Sequence, residues 1–276
     1  LFPTPVRTPE PSQGLVRRIG AGTYAAGQSL AGIVAFFGEA LVELGGALRR
    51  PRTANWGSTI GLAERAGADA VPIVLIINFL VGLVMAHHSA AKLSEYGATI
   101  YVTDVVVLSM TRELGPLMTA IILAGRSGAA FTAEIATMKV SEEIDALRTM
   151  GFGPVRHLAL PRIFALLFVT PLLVLVADII GCAGGMFMAA LNLGITPEAY
   201  FNEAKRALKP SDFWTGLVKS AVFAVAIAII ACERGFATRG GAAEVGAKTT
   251  STVVTCLFAL VVLDAALTIF FLVLLR

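Results

Sequence analysis

Arg112, Glu113, Lys219 and Asp264 are ionisable side chains standing inside largely apolar stretches. A charge in hydrocarbon is costly, and it persists by pairing, by facing a cavity or by meeting a polar headgroup. Successive residues on a helix point about 100° apart, so Arg112 and Glu113 need separate partners. Lys219 has two candidate partners, Glu113 and Asp264. Arg112 has three: a phosphate gripped by its bidentate fork, a backbone carbonyl, or a carboxylate from another helix. Asp104, eight residues earlier on the same helix, is too far for a direct contact.

The other chemistry-bearing residues organise less. His87 and His88 have no visible third ligand for a metal. Cys182, Cys232 and Cys256 lie in apolar runs without paired spacing and read as small buried hydrophobes. Gly241-x-x-x-x-Gly246-Ala247-Lys248-Thr249 imitates a phosphate loop. Its lysine comes one residue late and no strand precedes it. The chain is therefore expected to carry no ATPase site, no cofactor and no catalytic constellation of its own.

The elements that must position these residues are membrane helices. Of 276 residues, 56% are hydrophobic and only 15% charged, where a soluble domain carries about 25% charge. A net charge of +3 without a Lys/Arg cluster gives no case for nucleic acid. Five stretches approach the roughly 20 apolar residues of a span: Ala68–His87, Val102–Ala124, Leu158–Leu191, Phe213–Cys232 and Thr252–Leu275. Gly14–Arg50, apolar at helical spacing but polar at both ends, reads as an amphipathic interfacial or re-entrant helix, with a sixth span as the alternative. Leu1–Gln13, with four prolines, reads as a linker or tail, which would fit a separate domain upstream. Residues 14–276 form the membrane domain. The fold class is all-α.

Fifteen Lys/Arg residues fall on the side of the amino terminus and only five on the other. By the positive-inside rule the amino terminus is cytoplasmic and the carboxyl terminus outside. At about 1.5 Å per residue, Glu113 and Asp264 then lie roughly 16 Å below the outer surface and Lys219 roughly 9 Å. An extended lysine spans that difference. Met85, Leu93 and Tyr96 at the outer end of the first span suit an adaptable apolar cavity. Gly181-x-x-x-Gly185 suits close helix packing.

The largest cytoplasmic loop, Gly125–Arg162, holds a glycine- and proline-free stretch, Phe131–Met150, ended by Gly151 and Gly153-Pro154. Apolar Ile135, Met138, Ile144, Leu147 and Met150 alternate there with Glu134, Glu142, Glu143 and Asp145. We expect one or two amphipathic surface helices that dock in a groove of a soluble partner. Asp145-Ala146-x-x-x-x-Gly151, followed by Leu160-Pro161, resembles the EAA loop by which ATP-binding-cassette permeases seat on their ATPase.

The run RELGPLMTAIILAGRSGAAFTAEIATMKVSEEIDALRTMGFGP, Arg112–Pro154, closely resembles the MlaE/YrbE permease family. The likeness continues through Leu160–Arg162, Gly181–Gly185, Leu217–Ala224 and Leu263-Asp264. It implies a homodimeric permease of the bacterial inner membrane, driven by ATP in a separate cytoplasmic ATPase. An MCE-domain lipid-binding protein would sit on the far side, and the substrate would be phospholipid moved between inner and outer membranes. It also implies a lipid pocket at the dimer axis, to which Met85, Leu93, Tyr96, Arg112 and Leu114 correspond. Glu134, Met138, Glu142, Glu143 and Asp145 would face the ATPase. His88-Ser89 departs from the Gln-Gly frequent in the family at that point, which bears on headgroup preference. A permease for another hydrophobic solute such as a sterol, or a non-transporting scaffold, are the competing functions.

Overall fold

The computed structural model describes residues 15–49 and 56–274. The expected linker Leu1–Gln13 lies outside them. Among the described residues, five helical stretches are long and apolar enough to cross a membrane: Val71–Ser94, Thr99–Val140, Val155–Leu193, Pro210–Phe236 and Ala242–Leu274. The protein is an all-α polytopic membrane protein.

The described residues open with α1 (Leu15–Arg49), a single 35-residue helix, followed by α2 (Trp56–Ala68), which was not expected. A corner at Asp69-Ala70 leads into α3 (Val71–Ser94), with Pro72 in its first turn. The first span thus begins later than its apolar run predicts, because the corner at Asp69-Ala70 precedes it, and ends later, because the polar stretch after His87 remains helical.

The second span differs most from expectation. It runs 42 residues from Thr99 to Val140. In sequence it comprises α4 (Val102–Ser109), a π turn at Met110–Leu114, α5 (Gly115–Leu123), a second π turn at Ala124–Gly128 and α6 (Ala129–Val140). Phe131–Val140 is therefore no separate surface helix. Phe131, Thr132, Ile135 and Ala136 are buried in the bundle, and only α7 (Glu143–Thr149) stands apart. At about 1.5 Å per residue such a helix exceeds the roughly 30 Å hydrocarbon core, so its charged end projects beyond it. Arg112 and Glu113 consequently sit nearer the Thr99 end of the span than its middle.

A third π turn, Val155–Ala159, opens α8 (Leu160–Leu193). Beyond it, α9 (Pro197–Ala207) is a short amphipathic helix capped by the Thr196 hydroxyl, which accepts from Ala199 N at 3.3 Å. The last two spans are α10 (Pro210–Phe236) and α11 (Ala242–Leu274). α10 is the most enclosed of the spans, whereas α11 turns Phe258, Val261, Ile269 and Phe270 outward, as a lipid-facing wall requires.

Helices α3 and α8 touch backbone to backbone. A Cβ on Gly82 would lie 1.9 Å from the Gly181 carbonyl oxygen, and one on Gly184 would lie 2.1 Å from that of Phe79. Gly185, the other end of the expected small-residue motif, instead accommodates Val106 and the Tyr200 hydroxyl. Cys232 and Cys256 are buried and Cys182 is partly so, all three as free thiols.

Candidate functional site

The π turn at Met110–Leu114 has a local cause. Pro116 has no N–H to donate to the carbonyl four residues back, and Gly115 N bonds Met110 O, five residues back. Val155–Ala159 repeats the device ahead of Pro161, with Leu160 N bonded to Val155 O. Such turns insert one residue into the helix and re-aim the side chains around it.

Three positions of α10 on one helical face, Asp212, Gly216 and Lys219, meet this turn. Gly216 allows the approach, since a Cβ there would lie 2.2 Å from Thr111 O. One turn deeper, Lys219 is fully buried. Its ammonium donates to Glu113, to Asp264 at 2.9 Å and to the Thr268 hydroxyl at 2.7 Å. Thr268 in turn donates to the Asp264 carbonyl at 2.8 Å. The sequence left Glu113 and Asp264 as alternatives, and the geometry brings both to Lys219. An ammonium has three donors, and this site uses three.

Arg112 points the other way. Its Nε lies 3.7 Å from Asp212 Oδ1, with the arginine side chain 36% exposed and the aspartate 8%. That distance is an ion pair without a hydrogen bond. Asp212 Oδ2 accepts from Lys209 N at 3.0 Å and so caps α10. Asp212 escaped the sequence reading because it stands one residue before the apolar run beginning at Phe213. Lys209-Pro210-Ser211-Asp212 has the spacing of a capping box but not the Ser or Thr that opens one, so the residue types gave little signal beyond Pro210 at the helix start.

Met85, Leu93 and Leu114 pack together around buried Ala86, Ala90, Val102, Val106 and Met110. This apolar cluster adjoins the π turn through Met110 and Leu114. Tyr96 stands apart from it, 81% exposed on a turn that Gly97 closes with φ +65°. His87 and His88 are both exposed, their rings 6.0 Å apart. A second residue missed from the sequence is Asp178 of α8. Its Oδ1 is buried without a hydrogen-bond partner among the described residues and lies where a Cβ on Gly115 would be, 1.9 Å away.

Residues 59–270 match the family model described as Permease MlaE. The chain belongs to the MlaE permease family. It is 42% identical over 188 residues to a probable ABC transporter permease protein of Rickettsia felis, covering 68% of this chain and 73% of that one. A probable ABC transporter permease of Synechocystis is 39% identical over 206 residues, 75% and 78% of the two chains. The chloroplastic protein trigalactosyldiacylglycerol 1 of Arabidopsis thaliana is 35% identical over 217 residues, 79% of this chain and 62% of that protein. The molecule is thus an ABC transporter permease, a class that works with an ATPase subunit.

In this MlaE permease the five residues expected to face the ATPase divide by environment. Glu134 is ion-paired at 2.8 Å to Arg162, a 6% exposed arginine that also donates to Leu158 O and stacks over Phe131. Met138 packs beside buried Ile135 and Ile144. Glu142 and Glu143 are exposed. Glu142 holds a left-handed backbone, φ +61°, at the corner between α6 and α7, and Glu143 accepts from the Ser141 hydroxyl at 2.9 Å. Asp145 takes both its oxygens to Lys139 at 2.9 Å, and that hydrogen bond holds its carboxyl below the ordinary value. Glu134 and Asp145 therefore brace the corner, while Glu142 and Glu143 present exposed carboxylate surface.

Proposed function

We propose that this permease moves phospholipid between the inner and outer membranes of a bacterium, driven by ATP hydrolysis in a separate cytoplasmic subunit. On this reading it sits in the inner membrane as a homodimer with its amino terminus in the cytoplasm. An MCE-domain protein receives or delivers the lipid outside. One observation carries the reading. Glu113, Lys219 and Asp264 satisfy one another, whereas Arg112, on the same turn, keeps a third of its side chain open beside an apolar cluster. A fixed guanidinium next to apolar side chains has the two chemistries of a phospholipid, phosphate and acyl chain. The name of the Arabidopsis relative, a diacylglycerol glycolipid, is in keeping with a lipid cargo.

Arg112 would hold the headgroup phosphate, with Met85, Leu93 and Leu114 against the tails and Tyr96 at the outer rim. α7 and the corner at Glu142 would receive the motor. The test is ATP-dependent transfer of labelled phospholipid between liposomes by the reconstituted complex. Arg112→Ala should abolish transfer while the complex still assembles. Transfer at the wild-type rate would refute the role of Arg112, and absence of any transfer by the wild-type complex would leave a scaffold.

A further inference from the structure

The charges around the π turn form an unequal set. Arg112 and Lys219 supply two positive charges, and Glu113, Asp264 and Asp212 supply three negative ones, in two groups that are each held by ion-pair contacts. Lys219 is consumed inside the bundle. At the open side the pair Arg112–Asp212 is neutral, and the group behind it carries the excess carboxylate.

From this we infer that the site selects phospholipids whose headgroup carries a positive charge beside the phosphate, such as phosphoethanolamine, over net-anionic headgroups such as phosphoglycerol. The inference rests on Arg112 being the phosphate seat. A phosphate at Arg112 shares that cation with Asp212, whose side chain is only 8% exposed and anchored through Oδ2 to Lys209 N, so it cannot swing away without uncapping α10. A zwitterionic headgroup returns the local sum to where it stood before binding. A net-anionic one leaves an uncompensated charge in a medium where charge is poorly solvated. Discrimination thus comes from the repulsive carboxylate, a feature built against the wrong ligand as well as for the right one. Two exposed cations stand nearby, Lys209, whose side chain lies against the Asp212 backbone, and Arg206; exposed as they are, water and salt screen them more than the buried carboxylate.

The experiment is competition at the site. The intact complex is reconstituted in nanodiscs holding equal amounts of phosphatidylethanolamine and phosphatidylglycerol with identical acyl chains. It is then extracted, and the retained lipid is counted by mass spectrometry. Wild type should retain the ethanolamine lipid with about five- to tenfold enrichment, the effect of one unscreened charge partly offset by solvent. Asp212→Asn keeps the capping oxygen and removes the charge, so enrichment should fall to near one with assembly and Tm unchanged. Retention in bulk proportion by wild type, or an enrichment that Asp212→Asn does not move, overturns the inference. Arg112→Ala separates the two levels. If it leaves the total retained lipid unchanged, the phosphate seat itself is wrong. If it empties the site while Asp212→Asn has no effect on the ratio, only the selectivity is wrong.

Discussion

Removing the buried ammonium should damage this protein more than any surface change. In Lys219→Met the side-chain volume stays similar, but Glu113 and Asp264 are left facing each other. Two carboxylates that share one nitrogen lie about 5 Å apart, and at an effective dielectric near 20 they repel by roughly 3 kcal/mol. Deleting one partner of a buried pair costs about 3–5 kcal/mol by comparison with other proteins. Glu113 is 35% exposed, and either carboxylate can take up a proton, so the lower end applies. A loss of about 3 kcal/mol corresponds to a fall in Tm of roughly 6–12 °C for a chain of this size. The assay is thermal unfolding of the detergent-purified complex, followed by its elution as a single species. Lys219→Met combined with Glu113→Gln and Asp264→Asn removes the repulsion, and should recover at least half of the loss. A Tm for Lys219→Met within about 2 °C of wild type, less than 1 kcal/mol, would refute the reasoning. So would a triple variant no better than the single one.

The remaining predictions concern packing and the cytoplasmic corner. Gly184→Val drives a side chain into the Phe79 carbonyl, and should cost about 3 kcal/mol, the upper end for overpacking, read as lost Tm. Glu142→Gly suits the left-handed backbone and should leave Tm unchanged or higher, whereas Glu142→Val should lower stability by about 1–2 kcal/mol. If Glu142→Gly also uncouples ATP hydrolysis from transfer, the carboxylate itself serves the motor. The folded state lowers the Asp145 value, so its contact with Lys139 is fully present above the ordinary carboxylate range and is lost as pH falls through the depressed value. A carboxyl NMR titration should find its midpoint below 3.8 and returning towards that value in Lys139→Met.

The five spans were legible because hydrocarbon demands long apolar runs, and Lys219, Glu113 and Asp264 were legible as opposite charges inside such runs at depths that let them meet, a test that Asp178, without a matching cation, did not pass. What composition cannot mark is where a helix leaves the membrane and continues. Glu134 and Lys139 look like residues of a separate surface helix, yet α6 carries them as the continuation of the second span, with Ile135 and Ala136 of the same helix buried. The same blind spot hid Asp212, since a charge one residue outside an apolar run reads as solvent-exposed. Its burial depends on Arg112 and the π turn approaching from elsewhere in the chain, which no local pattern encodes. α9 was missed for a different reason: eleven residues with a polar mean are a weak signal without the Thr196 cap and the Tyr200 anchor in view.

The π turns give the second span a property its length alone would not. An unbroken helix passes displacement along its axis, but a π turn that reverts to α geometry removes one residue from the register and rotates the downstream segment by about 100°. The Met110–Leu114 turn carries both Glu113, tied to Lys219 and Asp264, and Arg112, which faces Asp212. A push at α7 would pass through α6 to the Ala124–Gly128 turn and then, through α5, to this one, the second place where it could be relieved. Pro116 holds the turn open by denying its N–H. Pro116→Ala restores that donor and should let the α register form, which in isolation favours the helix by up to about 3 kcal/mol. Turning Glu113 away from Lys219 works against that gain, so the variant should fold with a Tm no higher than wild type and be slower in ATP-dependent lipid transfer, because Arg112 is turned from its seat. Full transfer activity in a stably folded Pro116→Ala complex would show that the turn merely accommodates a proline and plays no part in moving the headgroup.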